Sequence, residues 1–409
     1  NWGVFIASAL IIAVVTAGAF IAPSAVQSAF DTAVAWAGKW FGSFYILLIT
    51  AALVFILGLA FSRFGRIRLG PDNSTPDFST FAWTAMLFAA GIGTEILFFA
   101  VAEPVDQFVH PPIGDAQAIP PAARAREAIV LSLFHYGISG WGLYALVGLA
   151  MAYFAYRRRD TLTLRSTLRP LLGRHTEGVI GDIVDAAALV GGVFGIAASL
   201  GVGVVQLNVA LNILFGLPQG FPTQIGLTAL AVIMATVSAV SGVDRGVRVL
   251  STINVLLAIG LALWVLITGD AAFLIDALIG SIGDFFTRFP QLTLETYAYN
   301  RPDDWLNAWT LFFWAWWIAW AAFVGMFLAR ISRGRTIRQF VLGSLLLPFC
   351  YILMWVAIFG NHALDLVIRG NGEFRDITLE RPEQGLYWIL EHLPGQKILI
   401  ALALFIGIL

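Results

Sequence analysis

Tryptophan is concentrated in one short segment of the chain, residues 305–340, which also carries four arginines. Five of its tryptophans are spaced to lie on or beside one narrow face of a helix, at about 100° per residue. They are Trp305, Trp309, Trp316, Trp317 and Trp320. Indole faces deep in an apolar span suit a cation without hydrogen-bond donors, because cation–π attraction contributes about 0.5–2 kcal/mol per ring. The spacing is equally typical of aromatic packing between helices, so both interpretations remain open.

A single carboxylate, Glu95, lies deep inside the apolar run 81–102. Gly91 and Gly93 come directly before it, and glycine in a helix interior favours either local unwinding or close helix approach. An ionisable group at such depth costs about 2.5–3.5 kcal/mol on insertion scales, so a functional role is the first hypothesis. It would neutralise a cation or bind a coupled proton. A structural ion pair or a protonated acid is the alternative.

A second aromatic group occupies the run LSLFHYGISGWGLYALVG. Tyr136, Trp141 and Tyr144 fall within about 140° of one another on a helical wheel. Glycines 137, 140 and 142 lie between them and leave space beside the rings. The pattern predicts a concave aromatic surface, with ordinary core packing as the competing interpretation.

Composition sets the class of protein that must position these residues. Hydrophobic residues make up 59% of the 409 residues and charged residues only 12%, about half the share usual in soluble domains. Apolar runs of membrane-spanning length recur, which predicts an all-α polytopic membrane protein. The predicted spans are 2–22, 42–62, 80–102, 128–156, 180–215, 225–242, 251–273, 305–331, 341–361 and one beginning near 396.

Arginine distribution gives the expected orientation. Fifteen of the 24 Lys and Arg residues lie in alternate short connections, so these connections and the N-terminus are predicted to be cytoplasmic. On the opposite side, 277–289 is predicted to be an interfacial amphipathic helix, and 362–396 an exposed loop with short helical pieces. We expect the native protein to continue beyond Leu409, where an apolar run stops abruptly.

Several classes of site are excluded by residue counts and spacing. A net charge of −1 gives no reason to expect a nucleic-acid partner. The single cysteine, Cys350, excludes an intrachain disulfide, and the five histidines show no metal-ligand spacing. No nucleophile paired with a general base and no metal cluster suggests an enzyme, and no organic cofactor is expected.

The segment WAWWIAW at 314–320, followed by FVGMFLARISRGRTIRQF at 323–340, resembles the signature of the betaine/carnitine/choline transporter family. FAAGIG, the Glu–Pro pair at 103–104, the Tyr136/Trp141/Tyr144 pattern and LNILFG at 211–216 agree with it. The resemblance implies a twelve-helix carrier, about ten of whose helices are present in this chain. Two peripheral helices (1–78) would precede a first LeuT-type inverted five-helix repeat (79–273) and an incomplete second one with its interfacial helix (274–409). It also implies a homotrimer in the lipid of a bacterial inner membrane.

The same resemblance assigns roles to residues. Tyr136, Trp141, Tyr144 and Trp317 would form an aromatic box for a trimethylammonium group, while Trp316 and Trp320 would line the path beside it. Gly91 and Gly93 would unwind the third span next to Glu95. Betaine carriers of the family commonly have glycine where this chain has Glu95, and choline carriers tend to have an acid there. Since choline brings no carboxylate of its own, Glu95 favours choline over betaine.

The coupling ion is expected to be a proton rather than sodium. Sodium-coupled members have hydroxyl groups near residues 196–198, where this chain has Ile, Ala and Ala. The predicted function is therefore proton-coupled choline import that supplies an osmoprotectant or its precursor. Two alternatives remain: a sodium-coupled glycine betaine symporter, and a membrane sensor that binds quaternary amines without moving them.

Overall fold

The computed structural model describes residues 1–90, 93–241 and 244–408, and these are predominantly helical. The described residues contain no β-strand, only one isolated antiparallel bridge between Arg68 and Thr336. Six helical stretches are apolar and long enough to cross a bilayer. The prediction of an all-α polytopic membrane protein is thereby confirmed.

The described residues form nineteen α-helices. In chain order they are α1 (Trp2–Ile21), α2 (Pro23–Phe61), α3 (Thr80–Ala90), α4 (Thr94–Val109), α5 (Pro121–Tyr136), α6 (Ile138–Ala152), α7 (Leu164–Thr167), α8 (Arg169–Leu172), α9 (Val179–Phe215), α10 (Phe221–Ser241), α11 (Asp244–Thr268), α12 (Ala271–Leu292), α13 (Asp303–Ala308), α14 (Thr310–Ile331), α15 (Ile337–Trp355), α16 (Asn361–Ile368), α17 (Gly372–Glu380), α18 (Pro382–Glu391) and α19 (Gln396–Ile408).

Nine of the ten predicted spans overlap an apolar helical stretch. Six of these stretches are long enough to cross a bilayer, and three are shorter. The remaining one, 80–102, is divided into α3 and α4. Gly93 lies between the two helices with an extended backbone, φ −106° and ψ 168°, and Thr94 begins α4. Gly91 lies outside the described residues. The second span is longer than predicted, because Pro23 begins α2 and no further proline interrupts its 39 residues.

The prediction that the tryptophans from Trp305 to Trp320 share one helix face is wrong in one respect. The backbone leaves the helical region at Trp309, with φ −119° and ψ −85°. Trp305 therefore belongs to α13, whereas Trp316, Trp317 and Trp320 belong to α14. Because the two helices are separated by this break, a continuous 100° repeat from Trp305 to Trp320 does not exist.

The chain forms two compact units, each made of segments that are distant in sequence. The first unit contains Asn1–Ser79, Ile138–Ile196 and Thr293–Leu346. The second unit contains Thr80–Gly137, Ala197–Leu292 and Leu347–Leu409.

The core of the first unit is built where α2, α6, α13 and α14 meet. Glycines on α2 and α6 permit the close approach: a Cβ on Gly38 would lie 2.0 Å from the Asn307 Oδ1 atom of α13. A Cβ on Gly142 of α6 would lie 3.1 Å from a methyl group of Leu53. Small residues thus replace side-chain bulk where helices cross, as is common between membrane helices.

The core of the second unit is built around α4 and α5, which pack against α12, α16, α17 and α18. Residues 128–135 of α5 are all buried. The segment 362–396, predicted to be an exposed loop with short helical pieces, does contain three short helices, but their apolar faces are covered rather than exposed. Tyr387 and Leu390 of α18 are almost fully buried, so the charges of this segment mark only its outward face.

Candidate functional site

Helices α6 and α14 of the first unit cross so closely that their backbones touch. A Cβ on Gly148 would lie 2.9 Å from the Gly325 carbonyl oxygen, and one on Gly325 would lie 3.0 Å from the Gly148 nitrogen. Gly148 contacts Gly325, and earlier on both helices Trp141 contacts Trp317. Since the contacts advance in the same direction along both helices, α6 and α14 run parallel. This crossing brings the aromatic residues of the two helices together.

Trp141 and Tyr144 of α6 and Trp317 of α14 form a buried aromatic cluster. The ring centroids are 5.6 Å apart for Trp141–Tyr144, 5.9 Å for Trp141–Trp317 and 4.7 Å for Tyr144–Trp317. The interplanar angles are 85°, 64° and 60°, so the rings are inclined to one another rather than stacked. Each ring is at most 8% exposed. Three desolvated π systems in contact provide the kind of surface that attracts a methylated ammonium group.

Gly140 determines where the indole of Trp317 can lie. A Cβ on Gly140 would be only 2.1 Å from the Trp317 Cε2 atom and 2.2 Å from Cδ2. The indole therefore packs directly on the backbone of α6. The neighbouring Trp141 has a buried indole N–H with no acceptor among the described residues. A ligand oxygen is one group that would satisfy this donor.

Two other tryptophans of α14 lie in different surroundings. Trp316 packs its ring on Phe312 and Phe313, with centroids 5.2 Å and 6.1 Å away. Trp320 packs on Phe323 at 5.5 Å, and a Cβ on Gly195 would lie 3.0 Å from its indole. Both side chains are half-buried. At about 100° per residue they project 60–100° away from Trp317, which agrees with these separate partners.

Tyr136 and Glu95 belong to the second unit. Tyr136 is the last residue of α5, and its ring lies 5.8 Å from that of Phe99 on α4. Glu95 precedes Phe99 by one helical turn, so both project from neighbouring positions on one side of α4. The second unit therefore holds Tyr136 against the same side of α4 that carries Glu95.

The carboxylate of Glu95 occupies the space that the missing side chain of Gly93 leaves free. A Cβ on Gly93 would lie 2.0 Å from the Glu95 Oε2 atom. Glu95 is half-buried in the first turn of α4, where the helix dipole favours negative charge. No basic side chain of the described residues forms an ion pair with it. Among the described residues, the helix terminus is therefore the feature beside Glu95 that favours negative charge.

Sequence reasoning missed a buried pair in the second unit. Glu103 of α4 and His135 of α5 are both 0% exposed, and the Nδ1 atom of His135 lies 2.5 Å from Glu103 Oε1. Glu95 is therefore not the only acid inside a span. The predicted span ended at residue 102, one position before Glu103. The available signal was the presence of one acid and one histidine in otherwise apolar runs, since buried charges require partners.

A cavity of about 270 Å³ lies in the first unit, where α6, α9 and α14 meet. Ile196, Ala322 and Phe323 are among the mainly apolar residues of its wall. Only Asp185 and Thr163 supply side-chain oxygens there, and Asp185 already accepts a hydrogen bond from Arg165. Within the described parts of the chain, no three His, Cys, Asp or Glu side chains are grouped to hold a metal ion.

Comparison with known proteins gives consistent matches. Residues 3–409 match the family model described as BCCT, betaine/carnitine/choline family transporter. The chain is 51% identical over 374 residues to the high-affinity choline transport protein of Escherichia coli K12, covering 91% of this chain and 55% of that protein. It is 45% identical to the osmo-dependent choline transporter BetT2 of Acinetobacter baylyi, covering 100% of this chain and 59% of that protein. It is 37% identical to the glycine betaine transporter of the same organism, covering 100% and 62%. The chain spans little more than half the length of these relatives.

Proposed function

Since the chain belongs to the betaine/carnitine/choline transporter family, we propose that it imports choline across a membrane. The observation that carries the proposal is the buried cluster of Trp141, Tyr144 and Trp317. Choline carries a trimethylammonium group that cannot donate hydrogen bonds, so aromatic faces are its natural partners. The names of two relatives more than 40% identical, both choline transport proteins, agree with this substrate.

Trp141, Tyr144 and Trp317 bind the cationic end of choline. Each ring contributes about 0.5–2 kcal/mol, toward the upper value where water is excluded. The unsatisfied indole N–H of Trp141 is a donor for the hydroxyl oxygen of choline. The family resemblance assigns Tyr136 as a further residue that contacts choline, and Trp316 and Trp320 as residues that line the path of the substrate.

Glu95 balances the charge of choline. A zwitterionic betaine carries its own carboxylate, whereas choline requires a counter-ion from the protein. The half-buried Glu95 has no basic partner among the described residues, which supports this role. Gly93 permits its present position, because any Cβ there would meet its Oε2 atom. The family resemblance assigns the unwinding of the third span to Gly91 and Gly93, of which Gly93 lies at the break between α3 and α4.

A proton is the coupling ion. The cavity wall around Ile196 and Ala322 supplies few oxygens, whereas a sodium site requires several hard oxygen ligands. Glu95 is the intramembrane acid to which we assign the coupling of proton and choline. The membrane potential contributes a further ~2.3 kcal/mol per charge per 100 mV.

The remaining features follow from the family and the arginine distribution. The N-terminus is cytoplasmic, the protein resides in the bacterial inner membrane, and it assembles as a homotrimer. Residues 79–273 form the first inverted repeat and 274–409 the interfacial helix with part of the second, after two peripheral helices. Choline import supplies an osmoprotectant or its precursor.

The test is uptake of radiolabelled choline and glycine betaine into proteoliposomes, with proton and sodium gradients imposed separately. We expect concentrative choline uptake driven by the proton gradient. Glu95→Gln should raise the choline KM about tenfold, equivalent to ~1.4 kcal/mol, and change the betaine KM little. Sodium-driven betaine uptake would replace the proposal with the betaine symporter, and choline binding without uptake would favour a sensor. An unchanged choline KM in Glu95→Gln would refute charge balance by this residue.

A further inference from the structure

The buried pair of Glu103 and His135 joins two helices in a place where a charge is expensive. Both residues are fully buried, and the pair connects the middle of α4 to the last turn of α5. Removing one partner of a buried pair is destabilising, because the other buried polar group is left without its hydrogen-bond partner. The contact therefore holds these two helices together at a defined register.

The pair lies directly beside a residue of the proposed substrate site. His135 precedes Tyr136, and Phe99, one turn before Glu103 on α4, contacts the Tyr136 ring at 5.8 Å. One side of α4 thus holds two consecutive residues of α5, the first by a hydrogen bond and the second by ring packing. The position of Tyr136 depends on both contacts.

Tyr136 requires such support because α5 ends there. Gly137 leaves the helix with φ −90° and ψ −145°, and a Cβ on it would lie 2.2 Å from the Leu133 carbonyl oxygen. The last turn of a helix has unpaired carbonyl groups and frays unless other contacts stabilise it.

We propose that Glu103 is a positioning residue: its pairing with His135 fixes the last turn of α5 and thereby the ring of Tyr136 for substrate binding. The inference rests on the proposed function, in which Tyr136 contacts choline. Glu103 acts through His135 and contacts no substrate. Its removal therefore weakens choline binding without changing the transport cycle itself.

The experiment measures choline KM, maximal uptake and choline exchange in proteoliposomes, together with choline Kd in detergent. Glu103→Ala should raise KM and Kd between about twofold and thirtyfold, the range for one cation–π ring, with maximal uptake within twofold. Glu103→Gln keeps an acceptor for His135 and should restore most of the affinity. Ser132→Ala, a buried change on α5 whose hydroxyl bonds only its own helix, is the matched control and should behave as wild type.

A double mutant separates positioning from a general loss of structure. If Glu103 acts through Tyr136, Glu103→Ala should add nothing to the KM of Tyr136→Leu. Additive effects, or a fall in thermal stability with unchanged Kd, would overturn the inference. Loss of concentrative uptake in Glu103→Gln with normal exchange and Kd would also overturn it, since the pair would then carry the coupled proton. If the wild-type protein neither binds nor accumulates choline, the proposed function itself is overturned. If the wild-type protein transports choline and Glu103→Ala has the wild-type KM and Kd, only this inference is overturned.

Discussion

A single methyl group on Gly140 should displace the indole of Trp317 and weaken choline binding. The added Cβ would lie 2.1 Å from Trp317 Cε2, so the ring must retreat by about 1.3 Å to reach the 3.4 Å of ordinary contact. Both helices are closely packed at this point, and overpacking of this kind costs about 1–3 kcal/mol. The ring is forced away from Trp141 and Tyr144, and its share of the cation–π attraction is lost. We expect Gly140→Ala to raise the choline KM between about twofold and thirtyfold.

The assay is choline uptake in proteoliposomes, with choline Kd measured in parallel in detergent. Gly58→Ala on α2 is the matched control, because a Cβ there meets nothing within 4 Å. It should leave KM unchanged, and the greater helix propensity of alanine should if anything stabilise α2. In a Trp317→Leu background, which itself should raise the KM for choline and betaine alike, Gly140→Ala should have little further effect. A wild-type KM for Gly140→Ala would refute the reasoning that this backbone contact determines the binding surface.

Three further substitutions test other parts of the structure. Gly93→Ala should leave folding intact, because the clash is with the far end of the flexible Glu95 side chain, but should raise the choline KM by moving that carboxylate; a wild-type KM would contradict it. Gly325→Ala should lower thermal stability by about 1–3 kcal/mol, since its Cβ would meet the α6 backbone, and stability equal to wild type would argue against the close crossing. Asp284→Asn should cost at most about 1 kcal/mol in the same assay, because its partner Arg126 is 69% exposed, and a larger loss would show a stronger pair than exposure allows.

The aromatic residues of the candidate site could be selected from sequence because their types and spacing are informative. Trp141 and Tyr144 are three residues apart, and the glycines between and beside them leave space next to the rings. What spacing could not supply was the partner helix, because any of the apolar spans offers a comparable surface. The family resemblance indicated Trp317, and the structure brings its ring within 4.7 Å of Tyr144.

Two features were beyond the reach of sequence periodicity. No glycine or proline lies near the helix break at Trp309. The sequence therefore predicted a continuous helical repeat over residues 305–320. The pair of Glu103 and His135 spans 32 residues of sequence, and neither partner has a local pattern that identifies the other. Both depend on tertiary packing, which overrides local preference.

The geometry of the cluster depends on the glycines more than on the rings themselves. Aromatic rings attract a methylated cation without directional hydrogen bonds, so the binding surface is defined by where the helix backbones hold the rings. At Gly148 and Gly325 the backbones of α6 and α14 touch, and at Gly140 an indole lies on the backbone of α6. A larger residue at any of these three positions separates the helices or moves a ring, whereas exchanging one aromatic residue for another preserves a π surface. We therefore infer that substrate affinity is more sensitive to the small residues of this crossing than to the identity of each ring.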